Sequence, residues 1–306
     1  MYSSTLISST AELKRRDCLR LGLAAAALPA GLMSGLAASD AQAEPAAVLA
    51  AGPADVMADY QRFLNQRDVL QLSDFSGPYS RRDVVEVALF FQALHRGGWR
   101  APLKFQDMPS VERLLRELGS GKVVSSSTSY WSEDISGAEA SVQLSQAVIG
   151  DGEFEAGFYT VESNSRAMSA KSLKDLQGLS ALSNQSWLVD WRNLKRLGIR
   201  AQHVTNWELM PKMVAAGRAD FLLAPFQATP DLSLQVGTVR LQPIPGLKLG
   251  MQGTRHYLIS KIHPDGANLQ AALNTGLQQL RQQGVIRKAY MQSGFFNPRV
   301  SDWLRL

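Results

Sequence analysis

The chain has 306 residues, 45% hydrophobic and 19% charged, a globular composition long enough for one large domain or two smaller ones. Its net charge of +5 is scattered, with no long basic run, and gives no support to nucleic-acid binding. The single cysteine, Cys18, lies near the N-terminus, so the rest of the chain has no disulfide framework, thiolate zinc site or cysteine nucleophile.

The first 43 residues read as an address. Lys14-Arg15-Arg16-Asp17-Cys18-Leu19-Arg20 is a basic run with paired arginines, and an alanine-rich apolar stretch follows from Leu21 to about Ala38. Ala41-Gln42-Ala43 fits a small-x-small cleavage site, with a mature start at Glu44. The paired arginines are similar to twin-arginine export signals, which predicts a periplasmic protein. As a membrane anchor the stretch is weak, because Gly22, Pro29, Gly31 and Gly35 interrupt it. It carries four basic and three acidic residues, so the remainder keeps a charge of +4. Cys18 precedes the apolar stretch and is badly placed for lipid attachment.

Residues 44–53 are rich in alanine and proline and are expected to be flexible. A helix is predicted over Ala54 to Asn65, a strand over Val69 to Leu72, and a turn over Asp74 to Pro78. Arg82 to Leu94 has apolar residues at helical spacing and stops at Gly97-Gly98. Leu103 to Phe105 reads as a short strand, Ser110 as the cap of a helix ending near Gly119, and Lys122 to Val124 as a strand. The alternation resumes with strands at Leu179 to Ser183, Ala201 to Thr205 and Ala219 to Ala224. Helices over Ser186 to Leu197 and Asn206 to Ala216 separate them. Arg255 to Ser260 reads as a strand and Gly266 to Leu280 as a long helix. Strands separated by helices indicate βαβ units with parallel sheets, here in two runs, hence an α/β fold of two lobes.

Four stretches carry a resemblance. Ser172-Leu173-Lys174-Asp175-Leu176-Gln177-Gly178, Met213-Val214-Ala215-Ala216-Gly217-Arg218-Ala219-Asp220, Tyr257-Leu258-Ile259-Ser260-Lys261, and Leu273 to Tyr290 with Leu280 and Gly284 stand in that order. Together they resemble the type II periplasmic solute-binding proteins, in the family 3 branch that serves amino-acid and polar-solute ABC transporters, over about Asp68 to Tyr290. The resemblance implies lobe 1 over 54–160 plus 252–306, lobe 2 over 161–251, a central cleft and two hinge crossings. It implies capture of a small polar solute for a membrane transporter permease, by a monomer with no cofactor. Ligand would sit beyond the carboxyl ends of the strands, near helix N-termini.

The chain departs from that family at both charged anchors. After Lys122-Val123-Val124, where the family has an arginine for the ligand carboxylate, the run is Ser125 to Ser132 followed by Glu133 and Asp134. After the strand ending at Ala224, where the family has an acidic residue, the run is Pro225-Phe226-Gln227. Losing both together avoids an unpaired buried charge. It argues against a standard free amino acid as the solute.

The candidate ligand contacts follow from this topology. Asp74, Phe75 and Tyr79 follow the strand expected at 69–72; Ser127, Thr128, Tyr130 and Trp131 follow the one at 122–124. Asn184, Gln185, Ser186 and Trp187 occupy a strand-to-helix turn, and Phe226 and Gln227 follow the strand at 219–224. Hydroxyls and amphipathic rings suit a polar ligand with flat apolar faces. Each set also has a plainer role, as turn, N-cap or core. Asp190 and Trp191, one turn further on, are expected in core or surface; Arg255-His256, near the hinge, is expected at a surface strand start, with a place facing the cleft as the alternative. The four histidines have no metal-ligand spacing. An enzyme on this fold, dehydratase- or lyase-like, stays open with Glu133, Asp134 or His256 as its acid or base. So does an accessory or sensory protein with a degenerate cleft.

Overall fold

The computed structural model describes residues 47–306. The expected leader over 1–43, and residues 44–46, lie outside the described residues.

The first described segment corrects the expectation of a flexible 44–53 from Val48 onward. Val48–Gly52 is a strand, β1, in the interior of a sheet, with Ala50 and Ala51 fully buried. Alanine-rich composition hid it, yet small side chains are what a crowded sheet centre accepts. Helix α1 (Ala54–Leu64) follows as expected. Val69–Gln71 is a single 3-10 turn instead of the expected strand, because Asp68 accepts a hydrogen bond from Leu70 N at 2.9 Å and closes the backbone locally. Helix α2 (Arg82–Arg96) is buried over most of its circumference. Strand β2 (Leu103–Asp107) and helix α3 (Val111–Gly119), capped by Ser110, come next. The strand expected at 122–124 is shifted to β3 (Ser125–Ser126), preceded by buried Val123 and Val124. Short strands β4 (Tyr130–Trp131) and β5 (Val142–Leu144) complete this part.

The chain then enters a second sheet through β6 (Glu155–Thr160), whose residues fall inside the span 54–160 expected for the first lobe. Helices α4 (Ser165–Met168) and α5 (Leu173–Gln177) lead to β7 (Ser180–Ser183), α6 (Leu188–Arg196), β8 (Arg200–His203), α7 (Leu209–Ala215) and β9 (Phe221–Pro225). A hairpin, β10 (Leu234–Val236) and the 12-residue β11 (Val239–Gly250), carries the chain back. The strand expected over Arg255 to Ser260 is two pieces, β12 (Arg255–His256) and β13 (Leu258–Ser260). Helices α8 (Gly266–Gln282) and α9 (Val285–Gln292) and strand β14 (Leu304–Arg305) end it.

The first sheet has the order β2-β1-β3-β13-β5, with β1 parallel to both β2 and β3. The second has the order β10-β11-β6-β9-β7-β8, with β14 added in parallel to β11. β7 is parallel to β8 and β9, as βαβ units require. A two-stranded ribbon pairs β12 with β4, setting Arg255 opposite Trp131. Helices α2 and α8 pack at backbone distance, since a Cβ on Gly276 would overlap the Ala93 carbonyl and one on Gly97 the Ala272 carbonyl. The segments 145–154 and 251–254 join the two sheets, and the C-terminal segment after α9 returns to the second sheet as β14.

Candidate functional site

The hydroxyl run after β3 is buried. Ser125, Ser126 and Ser127 have no exposure, and Thr128 and Ser129 have 5% and 2%. Ser126 Oγ donates to the Thr128 carbonyl at 2.8 Å and accepts from Leu258 N at 2.9 Å. Ser127 N donates to the Ala51 carbonyl at 2.7 Å. Ser129 donates twice to Glu86, from N to Oε2 at 2.8 Å and from Oγ to Oε1 at 2.7 Å.

Glu86 is fully buried on α2. It also pairs with Arg82 Nη1 at 3.0 Å and accepts from Tyr290 Oη at 3.2 Å. A buried carboxylate needs this density of donors. Arg255 reaches the same place from β12: its Nε donates to Ser129 Oγ at 3.0 Å and its Nη2 to the Ser129 carbonyl. Its guanidinium lies over the Trp131 ring at 4.8 Å and near Phe154 at 5.9 Å. Burial, aided by repulsion from Arg82 and opposed by Glu86 and Asp134, brings its pKa down to about 10. The expected surface pair at this strand start is thus corrected for Arg255, which is 8% exposed. The pairing of β12 with β4 turns its side chain inward.

The second lobe meets this region through α6. Arg192 Nη2 pairs with Glu133 Oε1 at 2.5 Å, across to the 3-10 turn Ser132–Ile135. Asp190, in the first turn of α6, is half-buried. Burial pushes its carboxyl up to about 7, with Asp134 adding to the rise and Arg255 opposing it. Asp134 accepts from Trp131 N at 2.9 Å, and burial raises its carboxyl too, against the pull of Arg255. Burial alone would raise Glu133, but the bonds from Arg192 and Ser132 hold it below the usual carboxylate range. A crevice of about 570 Å³ opens beside the contact, between Ser132, Glu133, Leu188, Trp191, Arg192 and Lys195.

Of the candidates after β3, Tyr130 and Trp131 form β4 and lead into the 3-10 turn whose Glu133 meets Arg192, whereas Ser127 and Thr128 are buried in the first lobe. The other candidates lie elsewhere. Asp74, Phe75 and Tyr79 belong to the excursion between α1 and α2, not to the end of a strand. Asp74 Oδ1 accepts from Ser76 N at 3.0 Å, Phe75 is buried with its N–H on Gln292 Oε1 at 2.9 Å, and Tyr79 is 49% exposed beneath Arg62. Asn184 accepts from Ser186 N at 2.9 Å, an Asx turn. Gln185 N donates to His203 Nδ1 at 3.1 Å, and Trp187 packs near Trp207. It is the next helical turn, with Asp190 and Arg192, that reaches the first lobe. Phe226 is buried against Trp303, Leu232 and Val300, and the Gln227 carbonyl accepts from Asn297 Nδ2 at 3.0 Å, so both face the C-terminal segment.

The acid–base candidates are committed to other partners. His256 Nδ1 lies 2.7 Å from the Ser145 carbonyl and Nε2 2.7 Å from Thr254 Oγ1, and burial lowers its pKa. Glu133 is in an ion pair and Asp134 caps the turn. Sequence reasoning missed Glu86, and gave Arg255 and Asp190 plainer places than the structure does. The available signal was a charge inside an apolar stretch, as Glu86 sits between Val85 and Val87.

No protein-family model matches the chain, and no curated protein matches it. Solved structures do. The periplasmic VFT2 domain of Bordetella pertussis BvgS is 15% identical, with a TM-score of 0.53 over 79% of this chain and 92% of that one. The probable amino-acid ABC transporter extracellular-binding protein ytmK of Bacillus subtilis is 14% identical, with a TM-score of 0.53 over 81% of this chain and 97% of that one. At these identities the likeness speaks to the fold, and with the two sheets and their crossing segments it assigns this chain the two-lobed α/β fold of the type II periplasmic binding proteins.

Proposed function

We propose that this chain is a periplasmic solute-binding protein that captures a small polar solute between its lobes and delivers it to an ABC-type transporter. The observation that carries the reading is the meeting of charged side chains from the two lobes at one interface: Arg192 with Glu133 at 2.5 Å, beside Asp190 and Arg255. Two lobes on a hinge of crossing segments can open and close over a ligand, and charges at the seam give closure its specificity. The paired Arg15-Arg16 and the cleavage pattern ending at Ala43 support export. Absence of the family's two charged anchors supports a solute other than a standard free amino acid.

A thermal-shift screen of the chain from Glu44, against amino acids, peptides, organic acids, polyamines and sugars, tests the reading. A ligand bound only by the native state adds about 2.7 kcal/mol at a hundredfold excess over its Kd. A rise in Tm with the solute recovered intact is the expected result. A rise with the solute consumed would make the chain an enzyme. The internal bonding of Ser126 and Ser129 favours a second reading, an accessory protein with a degenerate cleft; no shift across the panel would select it.

A further inference from the structure

After α9 the chain crosses between the lobes a third time. Phe295 packs on Phe154 of the first crossing and on Tyr290 of α9, at ring distances of 4.8 Å and 5.1 Å. From Asn297 onward the chain lies on the second lobe. Asn297 Nδ2 donates to the Gln227 carbonyl at 3.0 Å, and Arg299 Nη1 donates to the Thr229 carbonyl at 3.0 Å and the Pro230 carbonyl at 2.6 Å. Val300 and Trp303 pack with Phe226 and Leu232. Buried Lys248 of β11 donates from Nζ to the Val300 carbonyl at 2.7 Å, and Leu306 N donates to the Lys248 carbonyl at 2.9 Å.

Strand β14 also reaches the hinge itself. Arg305 donates from Nη2 to the Gly152 carbonyl in the first crossing. The same side chain lies against Gly250, where β11 runs into the second crossing: the three nearest atoms that a Cβ there would meet all belong to Arg305. A Cβ on Gly152 would meet Arg305 as well. The two glycines therefore make room for one guanidinium between the crossings. Asp151 Oδ1 ties the same crossings directly, accepting from Gly253 N at 2.7 Å. A crevice of about 500 Å³ opens beside Arg305, between Glu153, Arg287, Met291, Phe296 and Pro298. Along this face the segment is held by separate bonds and not by continuous packing.

We propose that residues 297–306 are a strap that holds the lobes in the closed arrangement, with Arg305 as its catch on the two crossings. This rests on the reading of two lobes that open and close over a solute, and it names what sets their balance. A contact shifts such a balance only if it differs between the two states. The Arg305 seat does differ, because it needs both crossings at one spacing and hinge opening turns their backbone. The seat is filled while Arg192 and Glu133 join the lobes at 2.5 Å, so it belongs to the closed side. Releasing the catch therefore favours opening.

Pulsed electron-spin distances on the solute-free chain from Glu44, labelled at Glu112→Cys and Arg218→Cys, test this. Arg305→Ala removes the catch. Gly250→Ala evicts it from the other side, and since Gly250 is not in the left-handed region its backbone accepts alanine. In each variant, with the circular dichroism unchanged, the longer separation should gain about threefold or more over the shorter, the worth of one exposed charged contact. A longer separation that appears in both variants supports the strap even where the parent shows only the short one. An unchanged distribution in either folded variant, or a gain in the shorter separation, overturns the strap and leaves solute capture to the thermal-shift screen.

Discussion

Glu86 holds four donors in one buried place: Arg82 Nη1, Ser129 N, Ser129 Oγ and Tyr290 Oη. Glu86→Ala would strand the Arg82 guanidinium, and losing one member of a buried pair costs about 3–5 kcal/mol. Denaturant unfolding should show a loss of that size. Asp190 acts in the opposite sense with pH. Burial pushes its carboxyl up to about 7 from the ordinary aspartate value near 3.8, so the folded state holds more protons than the unfolded state in between. Stability therefore falls as pH rises from about 4 to about 7 through this group, and levels off above. Asp190→Asn should flatten that slope and raise Tm at pH 8 relative to the parent; an unchanged slope would mean that the carboxyl titrates as if in water. At this scale the sequence was a partial guide. Ser127 and Thr128 read as ligand contacts in the sequence, yet they are buried in a hydroxyl run whose Ser126 bonds to backbone and whose Ser129 bonds to Glu86. Those partners lie 43 residues away in the chain for Ser129 and Glu86 and 126 for Ser129 and Arg255. No local pattern reports such distances.

Among the elements, amphipathic helices were legible because a helix that buries one face repeats its apolar residues. The fit of α1, α3 and α8 to the predicted spans reflects this. Strands made of small or hydroxylated residues were not. β1 is Val-Leu-Ala-Ala-Gly and β3 is Ser-Ser, and neither has the β-branched alternation by which strands are recognised. The position of β1 between β2 and β3 makes it indispensable. A chain beginning at Ala54 should therefore fail to show a cooperative thermal transition, while one beginning at Glu44 retains it. The contact of α2 with α8 is equally demanding. Gly276→Ala drives a methyl group into the Ala93 carbonyl, and overpacking of this kind costs about 1–3 kcal/mol, or more where backbone must move. The lowered midpoint in urea should come with an unchanged m-value.

For the whole molecule, alternating strands and helices gave the two α/β lobes, and the C-terminal segment stayed hidden. After α9 the chain packs Phe295 and Phe296 in the first lobe's core, seats Trp303 on Phe226, and adds β14 to β11. Lys248, 5% exposed, donates to the Val300 carbonyl at 2.7 Å and pairs with Glu155 at 3.1 Å. This is a third link between the lobes beside the two crossings, and no periodicity marks it. Its contacts bear on how far the lobes separate, and so on the central claim that solute is captured between them. The most direct measurement is an electron-spin distance between labels at Glu112→Cys in the first lobe and Arg218→Cys in the second, both exposed positions. The chain from Glu44 has no other cysteine to interfere. The account predicts two populated separations without solute, merging into the shorter one when a solute that raises Tm is added. A single distribution that no such solute alters would contradict capture between the lobes.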